Sequence, residues 1–335
     1  MNYFYYLGID VSKESFDLHL RNTEGSLQQS KHPNSLKGIK SMVKNLEKIP
    51  GFSWDKTLVC MEKTGIYVNH LISVLSGIDA NIWVEKALQI KKTLGMVRGK
   101  DDKVDAQRIA EYCFRYQDKC KLWAPLRSNV EKLKKLSRIR EQLIKTRDQL
   151  KISMNESISF ECKELGLLEK HLKGPAIKKI ENQITNVDKL IQSTIKEDTQ
   201  LQQIASNICS ITGIGKVTAA AFIVTTNEFK QISEPKKFAC YAGVAPFPYS
   251  SGKSINGREK VSHLANKRMK TLLHLCALSA ITAPGELKNY YERKVEEGKN
   301  KMKVLNAVRN KLIHRVFAVV RDNKKYEKNY QYYLT

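Results

Sequence analysis

The sequence predicts an α/β plus α protein in three parts. A mixed sheet domain occupies residues 1–125, a pair of long helices forms an arm over 126–206, and a mostly helical domain fills 207–335. Three observations carry this reading. Short aliphatic and aromatic runs first alternate with segments of helical periodicity, the pattern of a sheet covered by helices. Apolar residues then recur at heptad spacing through the middle, as in paired helices. The last third is helical and strongly basic, broken by Gly/Ser-rich punctuation at 242–257.

Taken in order, Tyr3 to Val11 is aromatic and β-branched and reads as a strand. Phe16, Leu18 and Leu20 alternate with polar residues, which predicts a second, half-buried strand. Asn22-Thr23-Glu24-Gly25 reads as the turn out of it. Ile39, Met42, Val43 and Leu46 follow helical spacing, Thr57 to Met61 is a short apolar strand, and Tyr67, Val68, Leu71, Ile72 and Leu75 mark another helix. Ile82 to Val84 returns to strand, and Val104 to Tyr116 to helix. The domain ends near Lys121-Leu122-Trp123-Ala124-Pro125. Beyond it Leu136, Leu143 and Leu150 lie seven apart, with Leu133 and Ile139 beside them. A cleaner seam follows Gly174-Pro175: Ile177, Ile180, Ile184, Val187, Ile191, Thr194 and Leu201. Pro175 suits the first turn of that second helix. Two such helices predict a hairpin or coiled-coil dimerisation arm, against the alternative of an ordinary helical domain. Two apolar-striped helices are expected near 264–282 and 301–321.

Composition narrows the function. The 335 residues carry 58 Lys and Arg against 34 Asp and Glu, a formal net charge of +24. A protein this basic meets a polyanion, and nucleic acid comes before the alternatives of a ribosomal or membrane-surface protein. No apolar run is long enough to cross a bilayer, and Met1 to Asp10 lacks the pattern of a signal peptide. The seven cysteines are scattered without a CxxC pair. They read as reduced residues of a cytosolic protein and not as zinc ligands or a disulfide framework.

Four carboxylates stand out. Asp10 closes the first strand in Leu-Gly-Ile-Asp-Val-Ser, and Glu62 closes the third in Cys-Met-Glu-Lys-Thr-Gly. Asp102 and Asp105 lie three apart at a helix start, in Gly-Lys-Asp-Asp-Lys-Val-Asp-Ala, so they face the same way. Converging carboxylates repel unless a cation joins them, and oxygen ligands suit Mg²⁺ or Mn²⁺. Two such ions can clamp the attacking and leaving oxygens at a phosphate. Asp10, Glu62 and a DxxD pair in this order point to an RNase H-like nuclease fold. Two plainer readings stand beside it. Asp101 and Asp102 also stabilise a helix N-terminus, and an Asp after a first strand opens actin-like folds too.

Ile211-Thr212-Gly213-Ile214-Gly215-Lys216 lies between two helices in the pattern of a helix-hairpin-helix. Its glycines, Gly213 and Gly215, let backbone N–H groups approach a phosphate, and Lys216 adds charge at the next helix start. A plain helical turn is the alternative. Ser250 and Ser251 follow in a flexible, basic loop with Lys253, Arg258, Lys260, Lys267 and Arg268 beyond them. Such serines are ordinarily turn residues and become nucleophiles only where something removes their proton.

Together, Gly-Ile-Asp-Val-Ser-Lys, Glu-Lys-Thr-Gly, Asp-Lys-Val-Asp-Ala, Ile-Thr-Gly-Ile-Gly and Tyr-Ala-Gly-Val-Ala-Pro with Ser-Ser-Gly resemble the DEDD-type insertion-sequence transposases. This is the IS one-ten group, similar to Piv-type DNA invertases, and the resemblance covers nearly the whole chain. It implies a RuvC-like RNase H fold, a central coiled coil and a C-terminal transposase domain carrying the serine. It places the metal-binding tetrad on Asp10, Glu62, Asp102 and Asp105 and the nucleophile on Ser251, with Ser250 its neighbour. It further implies Mg²⁺ or Mn²⁺, a covalent phosphoserine link to DNA and no ATP. Its partners would be donor and target DNA and a noncoding bridge RNA, with dimers pairing into tetramers in a bacterial, nucleoid-associated setting. Three rivals differ in kind: a junction-resolving nuclease that uses the tetrad and water, a non-catalytic nucleic-acid binder, and an actin-like ATPase.

Overall fold

The computed structural model describes residues 3–93, 102–251 and 255–327, and the chain separates into two units, 1–125 and 126–335. In the first unit β1 (Tyr5–Val11), β2 (Ser15–Asn22) and β3 (Ser26–Pro33) form an antiparallel meander. Helix α1 (Leu36–Leu46) leads to β4 (Thr57–Glu62), α2 (Asn69–Ser76) to β5 (Asn81–Glu85), and β4 and β5 run parallel to β1. The strand order is β3-β2-β1-β4-β5. Helices α3 (Ala87–Thr93) and α4 (Asp102–Arg115) complete the unit.

Side chains alternate between the two faces of each strand, so the sheet has two cores. Leu7 and Ile9 of β1, Phe16 and Leu18 of β2, and Val59 and Met61 of β4 pack with Ile39 and Met42 of α1 and Leu71 and Leu75 of α2. On the other face Tyr6, Leu58, Cys60 and Trp83 pack with Ile109, Tyr112 and Cys113 of α4. The second strand, expected to be half-buried, is therefore covered on both sides. Strand β3 is absent from the sequence reading: Ser-Leu-Gln-Gln-Ser-Lys-His-Pro carries almost no apolar signal, because it is an exposed edge strand held by its ladder to β2.

The second unit opens with α5 (Ser128–Phe160) and α6 (Lys163–Lys196), two helices joined at Glu161-Cys162. Arg140 pairs with Asp188 at 2.7 Å and Lys151 with Glu181 at 2.6 Å, so they lie antiparallel, as a hairpin. Pro175 falls inside α6 and not at its start. The helix already begins at Lys163, and the proline ring only deprives one interior turn of its donor. Leu201 likewise leaves the seam. The Asp198 carboxylate accepts the Leu201 N–H at 3.1 Å and caps a separate helix, α7 (Thr199–Cys209). At the base of the hairpin Leu133, Val187 and Ile191 pack on Leu201 and Ile223.

The remaining elements are α8 (Lys216–Thr226), α9 (Pro235–Tyr241), the hairpin β6 (Phe247–Ser251) and β7 (Ile255–Lys260), α10 (Lys267–Thr282), α11 (Glu286–Glu296) and α12 (Lys301–Arg321). Phe222, Phe238, Leu273, Leu312 and Phe317 centre their core. The stretch read as a flexible loop is thus a two-stranded ladder, and α10 starts three residues later than the apolar stripe suggested. No described helix is long and apolar enough to cross a membrane.

Candidate catalytic centre and nucleic-acid interface

Asp10, Glu62 and Asp105 come to one face of the sheet at one end. Asp10 shares its face with Tyr6 and Gly8, and Glu62 shares its face with Leu58 and Cys60. The β1–β4 ladder pairs Gly8 with Cys60 and Ile9 with Met61, so Asp10 and Glu62 lie one step beyond its last pair. Both are half-buried.

Helix α4, which carries Asp105 in its first turn, covers this face by main-chain contact. A Cβ added at Gly8 would lie 2.4 Å from the Ala106 carbonyl oxygen and 2.2 Å from the Ala110 nitrogen. The helix backbone therefore rests directly on β1, two residues before Asp10 and one residue after Asp105. Asp105 is half-buried and accepts a 2.7 Å hydrogen bond from the Arg108 guanidinium. Asp102 is the first residue of α4. Its side chain and the whole of Asp101 lie outside the described residues.

Two further carboxylates continue the row. Asp17 of β2 pairs in register with Asp10, and Glu85 of β5 pairs with Glu62. Asp17 is buried and ion-paired with Lys31 of β3 at 3.4 Å. Glu85 accepts the Lys86 N–H at 2.7 Å and the Tyr112 hydroxyl at 3.4 Å. Burial, with the Glu85 charge behind it, pushes the Tyr112 phenol well above its usual range. The sequence reading missed both acids, because strand register is not written in either segment alone.

All four predicted ligands are carboxylates, the donor set that suits Mg²⁺ or Mn²⁺. Among the described residues, no group of three or more His, Cys, Asp or Glu is drawn close enough to hold an ion. The described carboxylates share an end of the sheet without closing a cage.

In the second unit Gly213 has φ +92° and touches α10: an added Cβ would meet the Cys276 carbonyl at 2.7 Å and Ala280 at 2.8 Å. Helix packing therefore explains this glycine. Gly215 is exposed, has open space around it and heads α8 with no side-chain cap, and Lys216 is exposed beside it. The first amides of α8 are thus poised to face an anion.

Ser250 and Ser251 lie on β6, paired with Asn256 and Ile255 of β7. Their side chains and that of Arg258 lie outside the described residues, as does all of Lys253. Lys260 ends β7 and is exposed. Lys267 and Arg268 occupy the first turn of α10, where cations oppose the helix dipole, so they do not serve helix stability. Arg268 is 3.3 Å from Glu141 of α5.

A buried polar brace lies before the serine hairpin. Asn306 of α12 donates to the Val244 carbonyl at 2.8 Å. Arg309 donates to the Asn306 amide oxygen at 3.3 Å and lies 2.5 Å from His274 Nδ1. Arg309 is 5% exposed, and its Nε has no partner among the described residues. Burial and the Arg309 charge lower the His274 pKa. A guanidinium can only donate, so His274 accepts at Nδ1 and its ring proton sits on Nε2. Asn306 and Arg309 interrupt the apolar stripe of Leu305, Val308 and Leu312, the one sequence signal that could have flagged them.

Comparison with known proteins follows the same two segments. A DEDD-type IS110 transposase model matches residues 7–159, and the Transposase IS116/IS110/IS902 family model matches 205–292. The pilin gene-inverting protein of Moraxella lacunata is 27% identical over 333 residues, covering 96% of this chain and 98% of that protein. Its counterpart from Moraxella bovis is 26% identical with the same coverage. An IS110 insertion-element protein of Streptomyces coelicolor is 32% identical over 120 residues, covering 36% of this chain and 29% of its own. With both segments matched in order along one chain, the protein is a DNA-processing enzyme and belongs to the IS110-type transposases, related to the pilin gene-inverting proteins.

Proposed function

We propose that the chain moves an insertion sequence by cutting and rejoining DNA through a phosphoserine link at Ser251. Asp10, Glu62, Asp102 and Asp105 would hold Mg²⁺ or Mn²⁺, and a bridge RNA would choose the sequences. The carrying observation is the meeting of the Asp10 and Glu62 strand ends with the first turn of α4 on one face, held by main-chain contact at Gly8. The strand order β3-β2-β1-β4-β5, with β4 and β5 parallel to β1, supports a RuvC-like RNase H reading of this unit. The printed name of the Moraxella relatives, which describes inversion of a pilin gene, supports recombination.

The Ser251 hydroxyl would attack a DNA phosphorus, forming one O–P bond while the strand's own O–P bond breaks. The serine proton leaves with the released strand hydroxyl. A hydroxyl from a new partner then attacks the phosphoserine and restores the serine, so the bond energy is kept and no ATP is needed. A bound divalent cation supplies charge stabilisation at the attacked phosphate. Gly215, Lys216, Lys253, Arg258, Lys260, Lys267 and Arg268 would hold nucleic-acid backbones, while base pairing with the RNA reads sequence. Dimers would form through the arm, 126–206, between a metal-binding part, 1–125, and a serine-bearing part, 207–335, and would pair into tetramers on the nucleoid.

A denaturing-gel assay with Mg²⁺, element-junction DNA and flanking RNA tests the proposal. The wild type should give a covalent protein–DNA adduct, and Ser251→Ala should give none. Asp102→Asn should lose strand exchange and still bind DNA. Cleavage without an adduct, equal in wild type and Ser251→Ala, would establish a water-using nuclease instead.

A further inference from the structure

The hairpin of β6 and β7 leaves the helical core of the second unit at a root formed by 241–245 on entry and 265–266 on exit. The Asn266 N–H donates to the Tyr241 carbonyl at 2.8 Å, and the Asn266 side-chain amide donates to the Tyr241 hydroxyl at 2.8 Å. Gly243, at φ +65°, lies so near Ala265 that an added Cβ would come within 2.6 Å of its methyl. The Val244 N–H is bound to the Ala239 carbonyl at 2.9 Å. Val244 is buried, and its own carbonyl accepts from Asn306 of α12 at 2.8 Å, just before β6 begins at Phe247.

Chemistry leaves the Asn306 amide one orientation. A carbonyl only accepts and a guanidinium only donates, so Nδ2 must face Val244 and Oδ1 must face Arg309. The same guanidinium donates through its other terminal nitrogen to His274 of α10. No carboxylate pairs with Arg309 among the described residues, whereas the buried carboxylates Asp17 and Glu228 each have a cation. A charge buried without a counter-charge lowers stability. An apolar side chain continuing the stripe of α12 would serve folding as well or better, so the guanidinium answers to another demand.

We propose that Asn306 and Arg309 are positioning residues for the serine hairpin. Asn306 clamps the chain at the root of β6. Arg309, held in turn by His274, keeps the amide in the one orientation that can clamp. Two helices of the core thereby set where the strand bearing Ser251 starts. The effect on reaction rests on the reading of Ser251 given above, and the effect on the hairpin does not.

Asn306→Asp in the full chain separates positioning from stability. The carboxylate keeps the size of the amide and gives Arg309 a counter-charge, so the melting temperature should not fall. It has no proton for the Val244 carbonyl. Amides in 244–260 should then exchange with deuterium about five-fold or more faster, while those of α7 and α8 keep the wild-type rate. In the adduct assay above, the rate of covalent linkage should drop by on the order of 10²-fold with DNA affinity unchanged. Arg309→Lys, which keeps a donor for the Asn306 oxygen, should lose less than Arg309→Met. Wild-type exchange in 244–260, or an unchanged adduct rate where the wild type forms one, would overturn the positioning role. Faster exchange spread evenly over the second unit, with a lower melting temperature, would overturn it too. A wild type that forms no adduct would overturn the Ser251 reading, and the exchange rates would still decide the clamp.

Discussion

Gly8 shows how much one absent side chain sets. No L residue fits there, because the methyl of even an alanine would enter the α4 backbone at 2.2–2.4 Å. Backbone cannot step aside as the end of a flexible side chain can, so the helix would have to lift. Gly8→Ala is expected to cost about 3 kcal/mol or more, the upper range of overpacking effects, read from the urea midpoint of the full chain. A change below about 1 kcal/mol would mean that α4 has room to shift. The candidate residues Asp10 and Glu62 were legible in the sequence because each closes a strand that announces itself by composition. Asp17 and Glu85 were not, since only pairing places them beside that couple. Asn306 and Arg309 lay in plain view as polar breaks in an apolar helix, yet their target, the Val244 carbonyl, is 62 residues from Asn306.

Elements with strong periodicity were read correctly from sequence: β1, α1, β4, α2, β5 and α4 stand where the apolar spacing put them, and α12 matches 301–321. The failures have particular causes. Strand β3 is polar because it is an edge, and β6 and β7 are short strands in a stretch whose Gly, Ser and Pro residues read as loop. Pro175 misled because proline is common at helix starts, whereas α6 was already twelve residues along. The apolar residues before it also carry a message. Leu165, Leu167, Leu168 and Leu172 of α6 are exposed, as are Ile152, Ile158 and Phe160 of α5, with Phe160 88% exposed. Exposed apolar patches of this kind mark contact surfaces, and a second copy of the arm is the occupant that the dimer proposal supplies. Replacing Phe160, Leu168 and Leu172 together by serine should convert dimer to monomer in light scattering and leave the helical circular dichroism intact. A variant that stays dimeric would move the interface elsewhere.

At the scale of the whole molecule, charge decides what the protein meets. Most of the excess of 24 positive charges lies in the second unit, along α5 and from Lys253 to Lys270 among other places. A backbone-directed grip releases counterions, so affinity should fall linearly on a log–log plot against salt. With six to ten phosphates contacted, junction-DNA binding should weaken by about 10³–10⁵ between 50 and 200 mM salt, measured by fluorescence anisotropy. A nearly flat plot would mean that base contacts, and not phosphates, supply the affinity.

The margins of the five-stranded sheet have a consequence of their own. On one side β3 shows Lys31 and Pro33 to solvent, and its ladder to β2 breaks register between Leu20 and Arg21. On the other, the Trp123 N–H donates to the Ile82 carbonyl at 2.7 Å, so the chain leaving this unit already occupies part of the β5 edge. Charge, proline, an irregular ladder and a covering segment are the devices by which edge strands refuse a foreign strand. The sheet is therefore capped against growth, and strand-by-strand stacking of copies into fibres is closed to it. Any self-association, including the dimer proposed above, would then have to use helical surfaces and not added strands.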